Sequence, residues 1–147
     1  MMKKLILLLV CALVSGLAAR AQQPQLSGLA AHLQTDRISL RYSCVLTQDT
    51  PVHLSGDLLV QGECYRARGN GMESYCDGKT RWTVDPAARE VYIETAAGLE
   101  ELLAWRDSLS ELTLTDVRYS PLSDDLSPFR YDTSSLDAGW IVTDLRL

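Results

Sequence analysis

The stretch that decides the fold is residues 52–94, VHLSGDLLVQGECYRARGNGMESYCDGKTRWTVDPAAREVYIE. Apolar and polar residues alternate along it, and Gly, Pro or an Asn-Gly pair interrupts the alternation every few residues. Antiparallel strands that have one buried and one hydrated face show this pattern, and short turns join them. The stretch therefore predicts a run of consecutive strands in one meander.

The preceding residues extend the meander by one strand. From Arg37 to Thr47 the even-numbered residues are apolar and continue the face that Val52 begins in the next strand. Leu59 is the exception, since it is an apolar residue on the polar face. Gly56, in the middle of a strand, lets the sheet bend or another backbone approach. Six strands joined by short turns must curl, because open sheets twist.

A helix is expected to cover the curled sheet. Between Gly98 and Leu112 apolar residues recur at helical spacing, with Leu99, Leu102 and Leu103 on the stripe, and a shorter helix is predicted near residues 26–33. The predicted fold class is α+β, a curved antiparallel sheet that forms an incomplete β-barrel with helices over its concave face. A strand over residues 112–119, a surface excursion over residues 120–137 and a last strand near the C-terminus complete the prediction.

The first 21 residues have the pattern of a signal peptide. Lys3 and Lys4 precede the apolar run Leu5–Leu17, and Ala19-Arg20-Ala21 predicts cleavage before Gln22. The alternative is a lipoprotein signal cleaved before Cys11. Cleavage before Gln22 would leave residues 22–147 as a single domain of 126 residues with a formal charge of −8, against −5 for the whole chain.

Composition and motifs exclude several classes of function. An acidic chain is a poor ligand for nucleic acid or for an anionic membrane surface. No GxSxG, HExxH or P-loop motif occurs, so we expect neither enzymatic activity nor a cofactor. With two His and no CxxC pair, we expect no metal site.

The exported context permits a disulfide. Gly69-Asn70-Gly71 is interpreted as a three-residue hairpin loop, and in that register Cys64 faces Cys76. The sequence therefore predicts a Cys64–Cys76 disulfide. Cys44 is then unpaired, and its simplest interpretation is a small buried hydrophobe.

A family resemblance rests on a few short motifs. Gly56-x-Leu58-x-Val60, then Tyr65, then Asp77-Gly78-Lys79-Thr80-x-Trp82, resembles the outer-membrane lipoprotein carrier family (LolA-like proteins), especially its short exported members. Asp85-Pro86 and Glu90-Val91 extend the likeness, which covers about residues 33–112. The chain departs from the family at Gly62, near which the better-studied carriers have an Arg that helps to hold the lid shut.

The resemblance implies a monomeric periplasmic carrier that binds the acyl chains of lipoproteins or lipids. It further implies an inner-membrane exporter that loads the carrier and an outer-membrane receptor that unloads it. The residues expected to line the apolar cavity are Leu40, Tyr42, Leu54, Leu58, Val60, Tyr65, Trp82, Val91, Ile93, Leu99, Leu102 and Leu103. Two alternatives stay open: a non-catalytic scaffold or interaction protein of the envelope without cargo, and an enzyme.

Overall fold

A computed structural model describes Leu29 and residues 31–47, 49–96 and 109–147. Within these ranges the chain forms one eight-stranded sheet with the strand order β7-β1-β2-β3-β4-β5-β6-β8. The strands are β1 (Asp36–Leu46), β2 (Val52–Gln61), β3 (Cys64–Gly69), β4 (Met72–Cys76), β5 (Thr80–Asp85), β6 (Glu90–Thr95), β7 (Leu109–Pro121) and β8 (Ile141–Asp144). Neighbouring strands are antiparallel except β6 and β8, which are parallel. The six strands of the predicted meander are confirmed.

The predicted fold class is wrong. The described residues form an open, nearly all-β sheet, and their helical parts are Leu29, Ala31 and His32 and two 3₁₀ turns, Ser127–Phe129 and Thr133–Ser135. Residues 109–112, expected to end the covering helix, begin β7 instead, because they continue an antiparallel pairing that runs along β1. The remaining positions of the predicted helix, Leu99, Leu102 and Leu103 among them, lie outside the described residues, as does the predicted signal peptide.

Strand pairing assigns every side chain to one of two faces. We call the face that carries Leu40 and Leu58 the front face, and the face that carries Ser39 and Leu59 the back face. The front row runs across six strands as Leu40, Leu58, Ala67, Ser74, Thr83 and Tyr92. The back row next to it runs across seven strands as Arg118, Ser39, Leu59, Arg66, Tyr75, Trp82 and Ile93. The front row thus changes from apolar to polar where the back row changes from polar to apolar.

Each face has its own apolar core. The front core lies over β7 and β1–β3 and includes Ile38, Leu40, Leu58 and Val60, with Leu29 packed among them. The back core lies over β4–β6 and consists of Tyr75, Val84, Val91 and Ile93, with Trp82 packed against it. The expectation of a single covered face is therefore wrong. Alternation identified the buried residues of each strand but not the side of the sheet on which they lie.

The segment 122–140 covers the back core. Tyr131, Leu136 and Trp140 pack against it, and the Phe129 ring is fully buried. The Arg37 guanidinium stacks over that ring, 5.0 Å from its centroid, and donates to the Asp125 carbonyl. The sequence predicted a surface excursion here, because Ser, Asp and Pro dominate the composition. The few large side chains in the segment decide its position instead.

The β3–β4 hairpin corrects the predicted disulfide. Gly69 pairs with Met72, so the turn contains only Asn70 and Gly71, both with positive φ (52° and 73°). This is the backbone that a two-residue type I′ turn requires. The register is one residue away from the predicted one, and such a slip moves a side chain to the opposite face. Cys76 therefore faces the front and Cys64 the back, and both are free thiols, as is Cys44.

The Asp77–Trp82 motif makes the next turn and ties the C-terminal segment to it. The Asp77 carboxylate accepts hydrogen bonds from the backbone N–H groups of Lys79 (3.0 Å) and Thr80 (2.9 Å). Gly78 follows with φ +91°, a conformation that favours glycine. The second Asp77 oxygen accepts from the Arg130 guanidinium at 3.1 Å. Asp77 thus holds both the β4–β5 turn and the segment that covers the back core.

Candidate functional site

The structure divides the predicted cavity residues between the two faces. Leu40, Tyr42, Leu54, Leu58, Val60 and Tyr65 belong to the front core, and each is at most 7% exposed. Trp82, Val91 and Ile93 belong to the back core. The other three predicted residues, Leu99, Leu102 and Leu103, lie outside the described residues. The front face therefore brings six of the twelve together, in a packed cluster.

Two buried hydroxyl groups on the front face have no hydrogen-bond partner among the described residues, those of Tyr42 and Ser74. Burial raises the pKa of Tyr42, so its hydroxyl stays protonated and keeps a donor to offer. Cys44, on the same face and strand, is also protonated, since burial raises the pKa of its thiol to about 11. Unpaired buried polar groups are uncommon, because each loses its hydration without compensation.

The front face of β5 and β6 is polar although it is largely buried. Arg81 donates two hydrogen bonds to the Glu94 carboxylate, at 2.7 and 3.2 Å, from the position directly across from it. Thr83 beside it is 4% exposed. Burying an arginine is costly unless its charge is compensated, which the carboxylate of Glu94 does here. This half of the front face is a poor surface for an apolar ligand.

The back face of β7 and β1–β3 carries a groove with a volume of about 430 Å³. Its floor contains Ser39 and Leu59, which are paired neighbours on β1 and β2. Arg66 and Arg118 flank them in the same row, on β3 and β7 respectively. The next row places Arg41, Asp57 and Arg68 side by side. Leu59, the exception to the alternation, is thus the apolar part of a groove lined by arginines.

Two of the four groove arginines have an acidic partner. Arg41 pairs with Asp57 at 3.0 Å, and Arg68 pairs with Glu73 at 3.0 Å while donating to the Tyr75 hydroxyl. The hydrogen bond that Arg68 donates to Tyr75 and the charge of Glu73 outweigh desolvation and raise the pKa of Arg68. These pairs are largely hydrated and contribute little to stability.

The other two, Arg66 and Arg118, make no ion pair or side-chain hydrogen bond with the described residues. Partial burial and the neighbouring charge of Arg68 lower the pKa of Arg66. Asp116 also lines the groove and is exposed, at a β-bulge of β7 where its φ is 52°. Among the described residues, the groove therefore holds two guanidinium groups and one carboxylate that form no ion pair.

The sequence interpretation missed this groove. It assigned the back-face residues of β1–β3 to an ordinary solvated surface, because alternation marks them only as polar. The available signals were the Arg66-x-Arg68 pair and the misplaced Leu59. Neither signal identifies the groove without the strand register. The register places Arg118 in the same row as Arg66, although the two are 52 residues apart along the chain.

The described residues contain neither a metal-binding cluster nor a membrane-spanning helix. No group of three or more His, Cys, Asp or Glu side chains in the described ranges could hold a metal ion. None of the helices described is long and apolar enough to cross a membrane.

No protein-family model matches the chain, and comparison with curated proteins finds no match.

Proposed function

We propose that this chain is an exported, non-catalytic carrier that binds the acyl chains of lipoproteins or lipids against the front face of its sheet. The location proposed is the periplasm, with loading by an inner-membrane exporter and delivery to an outer-membrane receptor. The observation that carries the proposal is the pair of unpartnered hydroxyls, Tyr42 and Ser74, on a face that is otherwise apolar over β1–β3. An acyl ester offers both a chain to bury and a carbonyl that accepts a hydrogen bond.

The free energy of binding would come chiefly from burial, at about 0.8 kcal/mol for each methylene group removed from water. Leu29 and Leu33 pack against the front core from outside the sheet. An acyl chain that replaced their contacts with the core would keep the core dry. The polar front face of β5 and β6 would confine the chain to β1–β3.

Native mass spectrometry of the protein purified from a periplasmic extract tests this proposal. We expect a bound acyl species, and we expect the emptied protein to take up palmitoylglycerol, which has both a chain and an ester. Tyr42→Phe should weaken the uptake, because it removes one donor. The matched control Tyr119→Phe, at a 44% exposed ring, should leave the uptake unchanged. A protein that is always empty and takes up no palmitoylglycerol would contradict the proposal.

A second candidate function is an envelope interaction protein without cargo. Two observations favour it: Leu40, Leu54, Leu58 and Val60 are at most 4% exposed, and the edge strand β8 exposes apolar side chains. Within β8, Ile141 is 60% exposed and Val142 is 43% exposed. An exposed apolar edge is a common site of strand pairing with a partner. Photo-crosslinking from position 141 in intact cells, with position 87 as the control, would then yield a specific protein adduct.

A further inference from the structure

We propose that the back-face groove over β7 and β1–β3 is a binding site for a phosphate group. This site is separate from the front face, so it does not depend on the acyl-carrier proposal. It rests on the row Arg118, Ser39, Leu59, Arg66 and on the absence of an acidic partner for either arginine among the described residues.

The geometry of the row favours a ligand between the two arginines. Arg66 and Arg118 are three strand positions apart, which corresponds to about 14 Å between their backbones at the usual strand spacing. Both side chains can extend over the two small or uncharged residues between them. Leu59 gives the floor an apolar patch and Ser39 gives it a hydroxyl donor. The volume of about 430 Å³ is within the range of small-molecule sites.

The charges favour a phosphate over a carboxylate. Each guanidinium presents two parallel N–H groups, and a planar carboxylate satisfies one such fork. The two oxygens of a carboxylate lie on one edge of a plane, so they cannot face two forks on opposite sides. A phosphate monoester has three terminal oxygens that point in different directions and a charge of about −1.5 to −2 at pH 7. Arg41 and Arg68 are each paired with a carboxylate, Asp57 and Glu73, so Arg66 and Arg118 are the guanidinium groups left for the ligand.

Asp116 opposes anion binding and offers a sharp test. Its carboxylate lines the groove without a partner among the described residues. Asn tolerates the positive φ at this position as well as Asp does, so Asp116→Asn removes the charge without straining the bulge. If the groove binds phosphate, this substitution should strengthen binding. A merely structural role of the residue would not produce a gain of affinity.

The experiment is a calorimetric titration of the purified chain at fixed ionic strength with inorganic phosphate and with glycerol phosphate. We expect saturable binding, weakened about tenfold or more by Arg66→Gln and by Arg118→Gln, since each removes a charge-assisted hydrogen-bond pair. Asp116→Asn should tighten it. Arg146→Gln, which removes an exposed arginine paired with Asp144 at the C-terminus, is the matched control and should change nothing.

One further arm distinguishes the sources of the phosphate. Sedimentation with vesicles that contain phosphatidic acid, a phosphate monoester, against phosphatidylcholine vesicles, tests a lipid headgroup. Binding to either soluble phosphate or phosphatidic acid, with the expected response to the variants, supports the site. No saturable binding to any of these probes would overturn the proposal. Equal losses in Arg66→Gln and Arg146→Gln, or tighter binding of succinate than of phosphate, would overturn it as well.

Discussion

The β1–β3 half of the sheet and the β4–β6 half bury opposite faces. In the first half the front face is an apolar core and the back face is a hydrated, arginine-lined groove. In the second half the back face is the apolar core and the front face is polar, with Arg81 and Glu94 paired across it. β4 lies at the exchange and is buried on both sides, since Ser74, Tyr75 and Cys76 are all less than 9% exposed.

This difference shows that alternation and strand register carry separate information. Alternation with a period of two residues shows which side chains of one strand share a face. The turns decide whether the apolar set of the next strand continues on that face or changes to the other. Here Cys76 pairs with Arg81, and this register sends Trp82 and Val84 to the back. Each half then needs its own cover, and the segment 122–140 supplies it for the back core.

The largest effect is expected from removing the anchor of that cover. Phe129→Ala should destabilise the protein by about 3–5 kcal/mol, because the ring is fully buried between the segment and the sheet. Leu122→Ala, at a 51% exposed residue of the same segment, should cost less than about 0.5 kcal/mol. Urea unfolding measures both, and Trp82 and Trp140 report on the back core by fluorescence. Similar midpoints for the two variants would show that the buried Phe129 ring does not hold the segment on the sheet.

Neighbouring leucines on β2 allow the two faces of the first half to be compared directly. Leu58 is 2% exposed in the front core, and Leu59 lies in the floor of the groove. Leu58→Ala should cost about 2–5 kcal/mol, because it leaves a cavity in a packed core. Leu59→Ala should cost less, since its side chain already contacts water. Equal losses in thermal or urea unfolding would contradict the assignment of the groove to a hydrated face.

The sequence was sufficient for the local structure of the meander and insufficient for its assembly. Val52–Gln61 and its neighbours were predicted as strands because period-two alternation depends only on the strand itself. The close approach expected at Gly56 is also present, since a Cβ at this position would lie 2.2 Å from the Arg68 carbonyl oxygen. Features set by pairing were predicted poorly. The predicted Cys64–Cys76 disulfide is wrong because the hairpin register differs by one residue. Trp82 was predicted to share a cavity with Leu58, but it packs against the back core.

The candidate sites follow the same division. Leu40 and Leu58 were predicted as a shared apolar face because they lie in alternating strands, and the register places them opposite each other. The groove was not predicted, since Arg66 and Arg118 become neighbours only through two intervening strands. The Ser- and Asp-rich composition of the segment 122–140 predicted a surface position, although its few large side chains, Phe129 among them, are the ones that pack.

A smaller, pH-dependent effect should come from Asp77, which links the β4–β5 turn to the segment that covers the back core. Burial opposes ionisation of Asp77, but the backbone N–H groups of Thr80 and Lys79 and the Arg130 guanidinium outweigh it and lower its pKa below the ordinary 3.8. A lowered folded-state pKa stabilises the fold above the unfolded pKa, and this contribution is lost as the pH falls below about 4. Asp77→Asn should therefore cost about 1 kcal/mol at pH 7 and less at low pH.

Urea unfolding at pH 7 and at pH 3 measures this difference. The exposed turn residue Asp49 provides the matched control, and Asp49→Asn should cost little at either pH. A loss for Asp77→Asn that is as large at pH 3 as at pH 7 would show that the amide, and not the charge, matters at this turn.

The smallest effect on stability, and the most direct test of the two-face arrangement, concerns the cysteines. Cys64 is half-buried on the back face, whereas Cys44 and Cys76 are buried in the front core. Burial raises the pKa of all three thiols, to about 11 for Cys44. Thiol labelling of residues 22–147 at pH 8 should therefore show one fast group, lost in Cys64→Ser and retained in Cys44→Ser. Peptide mapping under non-reducing conditions should find no link between Cys64 and Cys76. A peptide that links Cys64 to Cys76 would require the three-residue loop Gly69-Asn70-Gly71, with both cysteines on one face. That result would contradict the observed β3–β4 register, on which the separation of the front core from the back-face groove depends.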